Sequence, residues 1–326
     1  MNSNSTVSVG FMKAAVLHAF GTEDQFRIES LPIPEVGVDE VLIKVEFAGV
    51  GQWDIFERQG GYAEMLNMEA KFPYVLGSEG SGTVVSKGEN VKGFEVGDKV
   101  MGAGFLNPQG GFYAEFAALD QKYVTHVPQS VNVQEAAVIL GAGITALRGL
   151  EDILQLKKDE SIVIFGASGG VGHLAVQLAK QIGAQVFAVA SGDDGVEMVR
   201  KLGIEHVADG YKGDLLSAAK AVAPLGFDAA LLTAGGETTK TIMQSVKADG
   251  RIAYPNGVFP LPASDEFKTV SYNGEPDADI ISRLTHYVKS GNVKAHIDKT
   301  FALEEASAAH KALQQHYLGK LGLKIS

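Results

Sequence analysis

The residues best placed to do chemistry form a glycine-rich turn, GASGGVG at 166–172. The turn follows a short β-branched run ending at Phe165, and a helical pattern of apolar residues begins at Leu174. Glycine lets the backbone approach a pyrophosphate, and the free N–H groups of a helix N-terminus carry partial positive charge. The order strand, turn, helix therefore favours a dinucleotide site over a bare structural turn. The residues expected to form the site are Ala167, Ser168, Gly169, Gly170, Val171 and Gly172.

The residue at the tip of the second strand of this unit decides which dinucleotide fits. An Asp or Glu, about 20 residues after the turn, would hold a ribose 2′-hydroxyl, but Ser191 stands there. Its small hydroxyl leaves room for a 2′-phosphate, which favours NADPH over NADH. Because Asp193 and Asp194 follow at once, the phosphate needs a partner from elsewhere. We expect Tyr211 and Lys212, after the next strand, to supply it.

Strand and helix patterns alternate from Glu160 onward, which predicts an α/β fold with a doubly wound parallel sheet. Ligands of such sheets bind at the carboxyl ends of the strands. The residues that follow two later strands should therefore approach the cofactor. These are Ala234 and Gly235, after Ala229–Leu232, and Asn256 and Gly257, after Arg251–Tyr254.

The chain before this alternation has a different texture, with short apolar runs broken by Gly, Pro and Asp from Met12 to about Val133. Such spacing predicts a Greek-key or partly closed β-barrel domain. A single helix is predicted over 134–155. The last apolar run, Leu321–Ile325, should return to the N-terminal domain. The predicted N-terminal strands are Lys13–Leu17, Val41–Phe47, Gly82–Val85, Lys99–Met101 and Phe112–Ala117.

Composition excludes several classes of function. The 326 residues include 28 Lys and Arg against 39 Asp and Glu, a formal charge of −11, and no basic run, so we expect no nucleic-acid partner. The absence of cysteine removes disulfides, thiolate nucleophiles and cysteine-ligated metals. No apolar run approaches the ~18 residues of a membrane span, and the polar start is not a secretory signal. We expect a cytoplasmic protein whose residues 1–11 form a flexible extension.

From Met12 to the C-terminus the chain resembles the medium-chain dehydrogenase/reductase superfamily, and within it the zinc-free quinone oxidoreductases related to zeta-crystallin. The segments that carry the resemblance are KAAVLHAFG, FPYVLGSEGSGTVVSKGENVKGFEVGDKV, GAGITALRGL, FGASGGVG, DGRIAYPNG and GKLGLKI, in the order of the family. The resemblance implies a GroES-like catalytic domain, a Rossmann domain and an active site between them. We place the GroES-like domain at 12–133 and 297–326 and the Rossmann domain at 134–296.

The resemblance fails at the catalytic metal. Zinc-dependent members hold zinc with a Cys, a His and a second Cys, and the matching positions here are Gly51, Ser78 and Ala142. Only Glu79 of that constellation remains, and one carboxylate cannot build a tetrahedral zinc site. We therefore expect no bound zinc. Without a Lewis acid, hydride transfer suits a substrate that spreads charge by conjugation, such as a quinone or an α,β-unsaturated carbonyl.

The resemblance also suggests the residues that touch substrate and nicotinamide. Thr145 matches a threonine beside the nicotinamide ribose, although it could instead be a satisfied helix-interior hydroxyl. Gln52 and Trp53 lie in the segment that would face the reacting ring, and Trp53 could equally be a core anchor. Tyr62 matches a substrate-facing tyrosine whose hydroxyl can donate a proton, although many loop tyrosines only pack. We take Tyr62, Gln52 and Thr145 as the catalytic candidates.

Two rival functions stay open from the sequence. One is an enoyl-thioester reductase of the same superfamily, and the other is a non-catalytic NADPH-binding protein. The small-molecule substrate itself depends on the loops at 52–72 and 255–270. By analogy we expect a homodimer, formed by edge strands near Phe267–Tyr272.

Overall fold

The computed structural model describes residues 10–107, 109–258 and 267–326 of the protein. Up to residue 126 the chain forms mainly antiparallel strands, with single 3-10 turns at Glu23–Gln25 and Gln121–Tyr123. The elements of this part are β1 (Phe11–Leu17), β2 (Arg27–Pro32), β3 (Glu40–Val50), α1 (Gln52–Arg58), α2 (Gly61–Leu66), β4 (Tyr74–Val75), β5 (Glu79–Lys87), β6 (Lys99–Ala103), β7 (Phe116–Asp120) and β8 (Val124–His126).

The next part of the chain alternates strands with helices. Its elements are α3 (Val133–Ala136), α4 (Leu140–Leu147), a π-helix (Arg148–Ile153), β9 (Ser161–Phe165), α5 (Gly172–Ile182), β10 (Gln185–Ala190), α6 (Gly192–Lys201), β11 (His206–Asp209), α7 (Leu215–Val222), β12 (Phe227–Leu232), α8 (Thr238–Met243), β13 (Val246–Pro255), β14 (Thr269–Tyr272) and α9 (Ala278–Lys289).

The six strands of this second part form one parallel sheet in the order β11-β10-β9-β12-β13-β14. Counted from its first strand this is the order 3-2-1-4-5-6 of dinucleotide-binding sheets, which reverses direction at β9. Alternate residues of β9 pack on opposite faces, Ile162 and Ile164 into one apolar cluster, Val163 and Phe165 into another. Helices therefore cover both faces, and the prediction of a doubly wound sheet is confirmed.

The tail returns to the first part of the chain. It contains β15 (Ile297–Ala302), a 3-10 turn (Leu303–Glu305), α10 (Ala306–Ala312) and β16 (Lys320–Lys324). Strand β16 pairs antiparallel with β3, which gives a seven-stranded sheet of order β15-β16-β3-β5-β6-β8 with β7 also on β3. A third sheet has the order β2-β1-β4. The exact division into domains stays a prediction, but both C-terminal strands lie in the N-terminal sheet.

The helix predicted over 134–155 is wrong as a single element, because it is divided into α3, α4 and a π-helix. The segment contains three glycines, Gly141, Gly143 and Gly149, which explain why the helix is irregular. They lower helix propensity, but they let neighbouring groups approach the backbone. A Cβ at Gly143 would lie 2.8 Å from Leu284, and one at Gly149 would lie 2.3 Å from the Tyr272 hydroxyl. Tertiary contact, not local pattern, therefore sets the course of this segment.

Two boundaries near the N-terminus also differ from expectation. The first strand begins at Phe11, inside the predicted extension, and residues 1–9 lie outside the described part. The strand predicted at Phe112–Ala117 is wrong, since β7 covers Phe116–Asp120. The backbone N–H groups of 112–113 instead donate to the carbonyls of Gly77 and Leu76, so this stretch does not form part of a regular strand ladder.

In the described ranges, every helix is too short or too polar to span a bilayer.

Candidate active site

The glycine-rich turn lies between β9 and α5, at the centre of the parallel sheet. Gly172 must be glycine, because a Cβ there would stand 2.1 Å from the Gly166 carbonyl oxygen. Gly169 differs, since its Cβ would meet only that same oxygen, at 3.4 Å. Gly169, Gly170 and Val171 are partly exposed, whereas the other members of the predicted set, Ala167, Ser168 and Gly172, are buried. The turn thus leaves open space at Gly169, and it fits a pyrophosphate resting on its backbone.

The buried members of the turn hold its shape. The Ala167 N–H donates to the Val189 carbonyl, and the Ser168 hydroxyl accepts from the Ser191 N–H at 3.1 Å. Thr233, directly after β12, donates its hydroxyl to the Phe165 carbonyl at 2.8 Å. Thr233 is not among the residues predicted from the sequence. Its position directly after a buried strand is the one sequence feature that would have indicated a role in the site.

We call the region around Ser191, Asp193, Asp209 and Lys212 the ribose corner, because the cofactor ribose is predicted to bind there. Tyr211 and Lys212, the residues predicted to bind the 2′-phosphate, lie in this corner. The Gly192 N–H donates to Asp209 Oδ1 at 3.2 Å, and so does the Tyr211 N–H at 3.0 Å. Lys212 Nζ donates to both carboxylate oxygens of Asp193, each at 2.7 Å. The Tyr211 side chain is exposed. Lys212 therefore reaches the predicted corner, where it is already paired with an acid.

The strand-end residues predicted to approach the cofactor lie at the same edge of the sheet. Ala234 and Gly235 are half-buried after β12. Asn256 and Gly257 are exposed after β13, and the Asn256 amide donates to Asn273 Oδ1 at 2.7 Å. They line the edge toward which the turn opens, and cofactor contact there stays a prediction.

Thr145 lies on α4 with its hydroxyl already satisfied. It donates to the Gly141 carbonyl at 3.0 Å, and the Tyr272 hydroxyl donates to the Thr145 carbonyl at 2.9 Å. A Cβ on Gly274 would lie 2.0 Å from the Thr145 hydroxyl, so this face is covered. The geometry is that of a helix-interior hydroxyl, and a contact with ribose would need the segment around Gly274 to move.

The Trp53 indole lies beside Gly51, one of the three positions that match zinc ligands. A Cβ on Gly51 would lie 2.7 Å from the Trp53 ring, and one on Gly141 would lie 3.1 Å from that ring and from Glu79. Ser78 directs its hydroxyl to Asp54 Oδ1 at 3.3 Å. Gly51 and the neighbouring Ala142 offer no ligand atom. The residues present therefore do not fit a zinc ion, and the part of the chain with described coordinates has no group of three acids, histidines or cysteines arranged for a metal.

A buried ion pair adjoins this indole and connects it to the turn. Lys320 Nζ lies 2.7 Å from Glu79 Oε1, with the two side chains 3% and 1% exposed. The ammonium also lies 4.4 Å from the centre of the Trp53 ring. Glu79 Oε2 accepts from the Gly141 N–H at 2.8 Å, and a Cβ on Gly170 would lie 3.2 Å from Lys320 Cδ. Lys320 was missed from the sequence, because only the tertiary fold brings the C-terminal strand to the turn.

Two carboxyls are buried beside the indole segment. Asp54 Oδ2 accepts from the Gly51 N–H at 2.7 Å. Burial, followed by the nearby Glu57, raises the pKa of Asp54 to about 8. Glu57 is held by the Tyr74 hydroxyl at 2.5 Å, and burial raises its pKa as well. At neutral pH Asp54 is therefore predominantly protonated, an uncharged carboxylic acid behind Ser78.

Tyr62 and Gln52 lie apart from one another. Tyr62 lines a cavity of about 600 Å³ together with Glu57, Tyr74 and Asn107. Burial raises the pKa of Tyr62 to about 12, so its hydroxyl stays protonated. Gln52 is exposed, and its amide donates to the Leu313 carbonyl at 2.9 Å.

No residue of the glycine turn is among the described residues that line this cavity, nor are Gln52 and Thr145. The structure thus does not gather the three catalytic candidates around one cavity. Residues 259–266 of the second predicted substrate loop lie outside the described part.

Comparison with known proteins agrees with this architecture. Residues 37–129 match the model of the alcohol dehydrogenase GroES-like domain, and residues 170–267 match that of the zinc-binding dehydrogenases. The chain is 32% identical over 305 residues to a chloroplast envelope quinone oxidoreductase homolog of Arabidopsis thaliana, covering 89% of this chain and 91% of the relative.

Other relatives carry other names. An acryloyl-coenzyme A reductase of Sulfurisphaera tokodaii is 28% identical over 96% of this chain and 100% of its own. An alcohol dehydrogenase of Schizosaccharomyces pombe is 33% identical over 64% of this chain, and the match spans 65% of that relative. The solved quinone oxidoreductase of Coxiella burnetii superposes with a TM-score of 0.83 at 27% identity, over 97% of this chain and all of its own. Together with the sheet order and the glycine turn, these matches show that the chain belongs to the medium-chain dehydrogenase/reductase superfamily, in which several of its relatives are named quinone oxidoreductases.

Proposed function

We propose that the protein is a zinc-independent, NADPH-dependent oxidoreductase that reduces quinones or α,β-unsaturated carbonyls. The observation that carries this proposal is that Gly51 and Ala142 offer no ligand atom at positions matching zinc ligands, while the Trp53 indole lies against Gly51. An indole cannot polarise a carbonyl as a metal does. The substrate must therefore spread the developing charge by its own conjugation, as quinones and enones do.

The chain supplies binding and orientation, while a bound nicotinamide supplies the hydride. The open backbone at Gly169 supports the pyrophosphate, near the N-terminal end of α5. The aliphatic part of Lys320 packs beside Gly170, while its ammonium is paired with Glu79. Ser191 leaves space at the ribose, and Lys212 is the cation within reach of a 2′-phosphate.

The Tyr62 hydroxyl is suited to donating a hydrogen bond to a substrate oxygen. Burial raises its pKa, so the hydroxyl stays protonated at neutral pH and does not act as a base. The cavity that it lines has mostly apolar walls, including Met12, Leu31 and Leu106. Such walls suit a flat, apolar quinone or enal, with Tyr62 and Asn107 as polar contacts.

A second function, enoyl-thioester reduction, is favoured by one observation. The relative named as an acryloyl-coenzyme A reductase aligns with 96% of this chain. That substrate is also a conjugated carbonyl, so the same site without metal would serve.

The experiment is an assay of NADPH and NADH oxidation by metal-free protein with ortho-quinones, enals and an enoyl thioester. We expect turnover with NADPH and at least one conjugated acceptor, with no gain on adding zinc. Turnover only after zinc is added would contradict zinc independence, and turnover with the thioester alone would select the second function. Tight NADPH binding without turnover of any acceptor would point to a binding protein.

We also propose that the protein works as a homodimer, through the edge strand β14. The compartment, expected to be the cytoplasm, stays a prediction.

A further inference from the structure

The ribose corner contains an internal anion where a phosphate would bind. Asp193 lies in the first turn of α6, and its carboxylate takes Lys212 Nζ with both oxygens at 2.7 Å. Ser191, the N-cap residue of α6, makes no side-chain cap. Asp193 therefore interacts with the positive end of the helix as well as with the lysine. These are the two interactions that a nucleotide phosphate would use in this corner.

Lys212 has a second acidic neighbour, Asp209, whose carboxylate is held in place by backbone hydrogen bonds. Asp209 is 9% exposed, and its Oδ1 is fixed by the N–H groups of Gly192 and Tyr211. Its Oδ2 has no hydrogen-bond partner among the described residues and lies 3.7 Å from Lys212 Nζ. Asp209 thus keeps the lysine near Ser191, whichever other anion the lysine holds.

Asp193 can leave, since its side chain is 87% exposed and Lys212 is 60% exposed. An ion pair so exposed to water contributes little to stability. A doubly charged phosphate would offer Lys212 a stronger partner while the aspartate turns to solvent.

We propose that Asp193 sets the preference of this protein between NADPH and NADH, by competing with the 2′-phosphate for Lys212. This inference rests on the proposed dinucleotide site. Asp193 weakens the binding of the phosphorylated dinucleotide without touching the part shared with NADH. Because the Lys212–Asp193 pair can form or open, the ribose corner can accept either NADH or NADPH. Ser191 alone therefore does not decide the cofactor.

The test measures binding of two probes, 2′,5′-ADP and 5′-AMP, to the full-length protein by calorimetry. Asp193→Asn should tighten 2′,5′-ADP about two- to fivefold and leave 5′-AMP unchanged, the scale of one released surface ion pair. Lys212→Gln should weaken 2′,5′-ADP about tenfold. In the Lys212→Gln background, Asp193→Asn should lose most of its effect.

The matched control is Asp194→Asn. Asp194 stands next to Asp193 in the same helical turn, but it pairs with His316 at 2.9 Å. Its loss should change binding of either probe less than about twofold. Circular dichroism of each variant confirms that α6 remains folded.

The inference is overturned if Asp193→Asn leaves 2′,5′-ADP unchanged, tightens both probes equally or acts as strongly without Lys212. None of those three results would contradict the proposed dinucleotide site itself. If neither probe binds the wild type, the dinucleotide site of the proposed function fails and takes this inference with it.

Discussion

Two glycines of the turn have the same residue type and opposite tolerance for a side chain. At Gly172 a methyl group would meet backbone atoms of Gly166 and Ala167, which cannot move without opening the turn. At Gly169 a methyl group would point into open space, where we place the pyrophosphate.

We predict that Gly169→Ala keeps the stability of the wild type, within about 1 kcal/mol, but weakens NADPH binding about tenfold or more. Gly172→Ala, the paired variant, should lose about 2–4 kcal/mol of unfolding free energy because the turn is overpacked. Urea unfolding and nucleotide titration measure the two effects separately. Unchanged NADPH affinity in a folded Gly169→Ala protein would place the pyrophosphate elsewhere.

At the scale of the element, α5 is held by a histidine inside the fold. His173 is fully buried, and its Nδ1 lies 2.9 Å from the Gly169 carbonyl. Its Nε2 accepts from the His296 N–H at 3.2 Å. The ring is therefore neutral, with its proton on Nδ1. This geometry is that of a packing residue inside the fold.

Burial lowers the pKa of His173 to about 4. Below the usual value of about 6.5 the unfolded chain takes up a proton that the folded chain refuses, so stability falls as the pH drops from 6.5 toward 4. At pH 5 the loss from this group is about 2 kcal/mol.

We predict that His173→Gln flattens the fall in unfolding free energy between pH 7.5 and 5 by about that amount. His310, with a pKa lowered to about 3, adds a fall of the same sign. Asp54, with its raised pKa, acts in the opposite direction. The difference between wild type and variant isolates His173. His206→Gln, at an exposed histidine, controls for loss of any imidazole. Parallel curves for wild type and His173→Gln would contradict the prediction.

At the scale of the whole molecule, β14 is an edge of the six-stranded sheet. Its Val270 is 43% exposed, and an edge strand with an exposed apolar side chain invites pairing with another strand. The proposed homodimer would join two such edges.

We predict that Val270→Lys turns a dimer of 34.4 kDa chains into a monomer, because like charges would face each other across the joined edges. Light scattering at micromolar concentration measures the mass. Lys268→Gln, on the same segment, controls for altered surface charge. A monomeric wild type would contradict the proposed homodimer. A Val270→Lys variant that stays dimeric would show that the interface does not include β14.

Much of the fold could be predicted because its signals are local. The run Ile162–Phe165, the turn and the helix from Gly172 lie within a few residues of each other, so periodicity and glycine spacing were sufficient. The same holds for the alternation after Glu160, whereas the missing zinc ligands at Gly51, Ser78 and Ala142 are implied by the family resemblance. The helix at 134–155 failed because its glycines serve contacts with distant residues such as Leu284 and Tyr272.

The sequence by itself determined a parallel sheet with a glycine-rich turn and a separate β-rich part, since each follows from neighbouring residues. Only the tertiary structure placed Lys320 against Glu79 and Trp53, 241 and 267 residues away in the chain (320 − 79 and 320 − 53). It also paired Lys212 with Asp193 and left Thr145 out of the cavity that Tyr62 lines. Side-chain contacts between distant segments depend on how sheets and helices pack, and no local pattern encodes that packing.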